Sequence, residues 1–229
     1  TKIPTEWWML RAHARMFLGV AFLATGELKQ AYAVLYDSDD PHHGRAFQMR
    51  QLAGACFTHW MAADLSGVSQ AAALVLKESN LPGSQVETTT WARYHLGIVQ
   101  YQQNDLAAAE QQLAPLIRQR YRSHVQCFLN GAAGLALVYQ AQNRPDEART
   151  IAELMGSFAL EVHSNPVLYR AKAFQAELAF RQGRIAETKY WAEQTDVSLS
   201  QPMPFFYHPV LTYVRVLIAD DAPSSRRLA

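Results

Sequence analysis

The chain has 229 residues, 49% of them apolar, and its 21 basic and 20 acidic side chains leave a formal net charge of +1. This near-balance excludes a long-range field that would recruit nucleic acid or an anionic membrane. Two cysteines, Cys56 and Cys127, are too few for a disulfide framework or a four-cysteine zinc site and fit a reducing, cytoplasmic setting.

From the N-terminus, a helical face at i, i+3, i+4, i+7 (Arg15, Leu18, Gly19, Phe22) runs to a break at Gly26, and a second helix follows through Leu28, Ala31, Tyr32 and Leu35. The run Arg15 to Ala24, behind Arg11, superficially matches a secretory core. Its fit to the repeat register makes it a helix. The second unit places its break at Gly67, with Ala72 five residues on. The third has Arg93, Leu96, Gly97 and Gln100 before Asn104, and Ala109 after it. The fourth has Ala132, Leu135, Ala136 and Tyr139 before Asn143, then Ala148, Ile151, Ala152 and Met155. The fifth breaks at Gly183 before Thr188, and a sixth break is expected at Asp221. Successive breaks lie 41, 37, 39, 40 and 38 positions apart. Gly and Asn tolerate the left-handed conformation that ends a helix.

Polar or Pro-bearing links are expected at 37–44, 79–85, 120–123, 163–166 and 195–206. Pro115 should kink or end the second helix of the third unit, because it removes a backbone donor. No alternating apolar pattern is long enough for a sheet, and no apolar run reaches the roughly 18 residues of a membrane span. The predicted fold is all-α, a solenoid of about five and a half antiparallel helix pairs in one domain over 1–229. Its units fall near 5–44, 45–85, 86–123, 124–165 and 166–206, with a partial one at 207–229.

Residues able to carry chemistry read mostly as structure. His42 and His43, beside Asp39 and Asp40, are adjacent loop residues that point apart, which suits a solvated link better than a metal. Cys56 with His59, and His124 with Cys127, share helix faces at i, i+3. They sit in separate units of a stack that contacts only nearest neighbours, so buried thiols are expected instead of a common zinc. Cys56 and His59 also form the only local nucleophile and base pair, without a helix-borne oxyanion site. Asp39–Asp40 and Asp220–Asp221 read as solvated acids. Trp7, Trp8, Trp60, Trp91 and Trp191 are expected mainly in the core. A phosphate-binding Gly-x-x-x-x-Gly-Lys-Ser/Thr loop and a basic recognition helix are both missing from the sequence. No catalytic residue, cofactor or metal is expected.

Leu96-Gly97 with Asn104 and Ala109, and Leu18-Gly19 with Gly26 and Ala31, resemble the tetratricopeptide (TPR) consensus. The second and fifth units depart from it, with His59-Trp60 and Gln175-Ala176 at the Leu-Gly positions. Units near 40 residues, and the tail from Pro202 to Ala219, are similar to the helical-repeat region of MalT-like, LuxR-type ATP-dependent transcriptional regulators. That resemblance implies a right-handed superhelix that senses an effector or protein partner, non-catalytic by itself and without direct nucleic-acid or membrane contact. The absent initiator Met, and an end at Ser225 to Ala229 where a second helix should begin, agree with a piece of a longer regulator. A free-standing peptide-capturing scaffold is the alternative, although the Lys- and Asn-rich carboxylate clamp of such scaffolds is not recognisable.

Carried over by the same resemblance, the concave groove would be lined by His13, Met16 and Val20, then Phe57, Met61 and Asp64, then Trp91, Tyr94, Ile98 and Tyr101. Asn130, Leu137 and Gln140 follow, then Arg170, Glu177 and Arg181, with His208 and Arg215 beyond. The series is apolar and aromatic early and charged late, which would suit a ligand with an apolar or sugar-like end and an anionic end. Trp91, Tyr94 and Tyr101 would stack on it, and Arg170, Arg181 and Arg215 would pair with its acidic groups.

Overall fold

The computed structural model describes residues 7–36, 45–79, 85–196 and 205–219. The first helices of the pairs are α1 (Trp8–Ala24), α3 (Arg45–Met61), α5 (Val86–Gln102), α7 (Val125–Ala141) and α9 (Asn165–Arg181). Their second helices are α2 (Leu28–Tyr36), α4 (Leu65–Glu78), α6 (Leu106–Arg118), α8 (Pro145–Glu161) and α10 (Ile185–Gln194), and α11 (Pro209–Ala219) follows. No strand occurs among the described residues. The break at Asp221, the acids Asp39, Asp40 and Asp220, the pair His42–His43, the Trp8 side chain, the whole link 37–44 and most of the links 79–85 and 195–206 lie outside the described residues.

One turn chemistry joins each first helix to its second. A residue with positive φ closes the first helix: Gly26 (81°), Ala63 (56°), Asn104 (61°), Asn143 (60°) and Gly183 (74°). The next N–H donates to the carbonyl five residues back, Glu27 to Phe22, Asp64 to His59, Asp105 to Gln100, Arg144 to Tyr139 and Arg184 to Ala179, at 2.8–2.9 Å. This is a Schellman closure, which satisfies carbonyls that the helix end leaves open. The α8–α9 junction uses it too, with His163 at φ 49° and Ser164 N–H on Ala159. Pro166, expected in a link, lies in the first turn of α9, where its missing N–H costs no helical bond.

The second turn therefore falls at Ala63, and the expected break at Gly67 lies four residues further on, inside α4, the second helix of the same pair. A left-handed Ala costs about 1–2 kcal/mol. Offsetting it are the Asp64 N–H bond to His59 and the Asp64 side chain, whose Oδ1 accepts the Gly67 N–H at 2.8 Å as the cap of α4. With this register the turns lie 37, 41, 39 and 40 residues apart. Five residues after each turn stand Ala31, Val68, Ala109, Ala148 and Thr188, and all are fully buried. Seven residues before stand Gly19, Cys56, Gly97, Ala136 and Ala176, all buried. Cys56 thus takes the small-residue position of the second pair, where His59-Trp60 had been expected to replace Leu-Gly.

Pro115 does not end α6, which continues to Arg118. It sits in the last turn, where the carbonyl it leaves without a donor belongs to Gln111, an exposed residue open to water.

Two compact units divide inside α7, Thr1–Phe128 and Leu129–Ala229. In the first unit, α1 packs on α2 and α3, α3 on α4 and α5, and α5 on α6, while α2 and α4 reach the following first helices. Leu35, Cys56, Ala71, Val75 and Ala92 form a buried cluster backed by Leu52, Leu76 and Leu96. Leu18, expected on a packed face, is 46% exposed, because it lies on the side of α1 away from α2 and α3. In the second unit, α9 is central and packs on α8, α10 and α11.

Candidate functional site

With the turn at Ala63, every first helix carries one equivalent position, a column within each unit. Thirteen residues before each turn stand His13, Arg50, Trp91, Asn130 and Arg170. Two pairs of successive members touch, each pair within one unit. Arg50 Nη2 donates to His13 Nε2 at 2.6 Å across α3 and α1. Arg170 Nη2 donates to Asn130 Oδ1 at 3.3 Å across α9 and α7. Side chains one repeat apart in sequence thus become neighbours through helix stacking.

In the first unit, the partners assign His13 its tautomer. Nδ1–H donates to the Met9 carbonyl at 2.8 Å, leaving Nε2 to accept from Arg50. The buried Arg50 guanidinium also stands 3.1 Å from Glu87, a charged contact that offsets part of its desolvation. Beside this rung lie rings: Trp91 packs at 5.8 Å from Tyr94 and from His95 and at 5.6 Å from His124, and Phe57 meets His95 edge-on at 6.4 Å. His95 is buried, donates Nδ1–H to the Trp91 carbonyl at 2.8 Å, and leaves Nε2 without a partner. Burial lowers its pKa to about 4 against the weaker raising effect of that bond. Burial also lowers His124, countered by Glu87 and assisted by Arg50 and His13.

In the second unit, the acid of the expected charged wall is buried, while the Arg181 and Arg215 side chains that pair with it stay 39% and 46% exposed. Glu177 is buried in α9 and accepts from Thr212 at 2.9 Å, Arg181 at 2.7 Å and Arg215 at 2.8 Å. Burial raises its pKa, but the Thr212 bond and the two guanidinium groups outweigh this and hold the carboxyl below its usual range. Tyr207 donates its N–H to Asn130 Oδ1 at 3.2 Å, pairs with Thr212 through its hydroxyl at 3.0 Å and packs edge-on to Phe174 at 5.1 Å. Burial pushes its phenol pKa well up. Arg170, besides Asn130, reaches the Tyr207 carbonyl at 3.5 Å. This network ties α11 and its leading segment to α9 and α7.

Several expected groove residues are core residues. Tyr94, Ile98, Asn130, Leu137 and Glu177 are buried, and they pack or bond internally instead of facing an open wall. Arg170, Arg181 and Arg215, expected to meet an acidic ligand, are engaged with Asn130, Tyr207 and Glu177. Gln140 accepts from Gln182 at 2.8 Å. Asp64 caps α4 and bonds His59 Nδ1 at 2.9 Å. His13, Met16, Val20, Phe57, Trp91, Tyr101 and His208 are half-buried, and Met61 is exposed. Tryptophans do not dominate the core: Trp7 is 58% exposed, and Trp60, Trp91 and Trp191 are half-buried. Both thiols are free and buried. Burial pushes Cys56 up to about 12 and Cys127 higher still. Arg50, Glu87 and His124 were missed. Counting back from Ala63 instead of Gly67 would have placed Arg50 in the column.

A family profile described as tetratricopeptide repeat matches residues 12–35, 90–115 and 130–153. These stretches bracket the turns at Gly26, Asn104 and Asn143, the pairs closest to the consensus. Two crystal structures of a Podosopora anserina protein described as a kinesin light chain with nearly identical TPR-like repeats, one of them a point variant, superpose on this chain. Their TM-scores are 0.63 and 0.61 at 13% identity, covering 80% of this chain and 92% of theirs. The fold is TPR-like. No curated protein matches. Among the described residues, no helix is long and apolar enough to cross a membrane. In this TPR-like stack, the second and fifth pairs, which the profile leaves out, keep the turn geometry and the buried small positions of the others.

Proposed function

We propose that the chain is a non-catalytic TPR-like scaffold that binds a protein partner on the first-helix layer of its first unit. The observation that carries this reading is the row formed by His13, the Arg50–Glu87 pair and Trp91, with Phe57, Met61 and His124 beside it. His13, Phe57, Met61, Glu87, Trp91 and His124 are half-buried or exposed, so the row offers apolar rings next to a charged rung. Such a mixture suits a protein segment, with rings supplying contact area and the rung supplying register.

Photo-crosslinking tests it. A benzophenone amino acid at Met61 or Tyr101 should trap a protein partner in cells, and the same probe at Lys77 or Gln111, exposed on second helices, should not. Trapping confined to the second-helix positions would overturn the assignment. Trp91→Ala should weaken non-covalent binding of the partner so identified by about 1–3 kcal/mol while leaving the helical spectrum unchanged.

One observation favours a finer placement. Turn spacings of 37, 41, 39 and 40 residues exceed the roughly 34 of the usual tetratricopeptide, which supports a cytoplasmic sensor domain within a MalT-like signalling regulator. A gene encoding an ATPase module before these repeats and a DNA-binding module elsewhere is the expected outcome, and a gene coding for the repeats alone would end this placement.

A further inference from the structure

Away from that row, at the junction of α2, α3 and α4, three side chains form a hydrogen-bonded line. The Tyr36 hydroxyl lies 2.6 Å from His59 Nε2, and His59 Nδ1 lies 2.9 Å from Asp64 Oδ2. A carboxylate on one imidazole nitrogen leaves the proton there and presents the other nitrogen as a base, so Nδ1–H donates to Asp64 and Nε2 accepts from the phenol. Tyr32 stacks on the imidazole with centroids 5.0 Å apart and 29° between planes, and Tyr36 covers its edge at 5.9 Å. Asp64 is fixed in turn by the Gly67 N–H at 2.8 Å, and that bond, ahead of opposing burial and the His59 bond, holds its carboxyl ionised below the usual range. His59 is buried, whereas Tyr36 is 45% exposed. An oriented base thus meets the hydroxyl of a residue that is partly open to solvent.

We propose that Tyr36 is an acyl-acceptor site, with His59 as its general base and Asp64 as the positioning residue of that base. In the step, Tyr36 Oη forms a bond to the acyl carbon and its proton passes to His59 Nε2. The bond from the acyl carbon to its leaving oxygen breaks, and the leaving group departs with the electron pair and recovers the proton from Nε2. The product is an O-acyl tyrosine. The neutral carbonyl of an activated ester fits this place better than a phosphoryl donor, whose negative charges would face Asp64. Cys56 does not compete, because its thiol is fully buried and bonded to the Leu52 carbonyl at 3.4 Å. The event is a single modification of the chain.

Tyr36 is less exposed than Tyr121 and Tyr190, at 62% and 68%. Its phenol is also pushed up to about 12, by burial first and then by Cys56, Tyr32 and Asp64. A purely structural bond therefore makes Tyr36 the slower nucleophile, and base assistance makes it the faster one. The full chain treated with p-nitrophenyl acetate at neutral pH, digested and read by mass spectrometry, should show Tyr36 acetylated at least tenfold faster than Tyr190. His59→Gln should bring Tyr36 to the Tyr190 rate or below, and Asp64→Asn should lower it in part, with Tyr190 unaffected in both. Wild-type Tyr36 reacting no faster than Tyr190 overturns the proposal whatever the variants do, and so does a fast Tyr36 that stays fast in a folded His59→Gln variant.

Discussion

A β-carbon on Gly67 would collide with the Nδ1 of His59. It would also collide with Asp64 Oδ2, so the turn of α4 approaches the His59–Asp64 pair as closely as a backbone can. Ala is otherwise the better helix former by about 1 kcal/mol. Here the collision wins, because His59 is pinned from its other side by Tyr36 and cannot swing away. Gly67→Ala should destabilise the chain by about 1–3 kcal/mol, measured by urea unfolding. A gain in stability would show that the pair yields freely.

The same logic applies to Gly97, where a β-carbon would stand 2.6 Å from Leu113 Cγ and 3.2 Å from Gln112 Cβ. Leu113 is fully buried in α6 and has no free space to move into. Gly97→Leu, and Ala136→Leu at the matching position of α7, should each cost at least about 1–3 kcal/mol with helix content retained below the unfolding transition. A neutral effect at both positions in thermal unfolding would contradict the close approach of the paired helices.

His95 predicts an acid-sensitive first unit. Its folded pKa of about 4 lies below the unfolded value of 6.5, so the unfolded chain takes up the proton first as pH falls. Stability is then complete above pH 6.5 and declines between 6.5 and about 4, by about 3 kcal/mol in total. His95→Phe should flatten most of that decline in unfolding experiments from pH 7 to 4, leaving the smaller slope of His124, whose pKa is lowered too.

Glu177 predicts a separate response at lower pH in the second unit. Its folded pKa is below the ordinary 4.5, so its contribution is full above about pH 4.5 and is lost as pH falls through the folded value. Glu177→Ala leaves the buried Thr212 hydroxyl without its acceptor, and Arg181 and Arg215 without theirs, and should cost about 1–3 kcal/mol. Glu177→Gln keeps the shape, loses the charge, and should remove the low-pH part of the unfolding profile. Hydrogen exchange in α11 should rise in both variants, since this carboxylate is what holds Thr212 and Arg215.

Most helices were legible in the sequence because their determinants are local. Apolar residues at helical spacing, Gly or Asn at a left-handed turn, and small residues at a repeated offset all act within a few residues of one another. The same locality explains the four-residue slip in the second pair. Gly67 carries the stronger intrinsic signal for a turn, whereas Ala63 becomes left-handed through a set of bonds that includes a cap from Asp64. Propensity ranks residue types one at a time and does not sum such bonds.

What the sequence determined by itself is a chain of helix pairs with a period near 40 residues and, in the first, third and fourth pairs, small positions on both sides of the turn, because these follow from backbone conformation and helical periodicity. The tertiary structure alone decided which polar groups meet. It joined Arg50 to His13 and Arg170 to Asn130 across 37 and 40 residues, folded the late arginines onto Glu177 and Asn130, and aligned Tyr36, His59 and Asp64. Those contacts depend on the rotation of each helix within the stack, and a four-residue change of register is enough to move Arg50 out of the column it shares with His13.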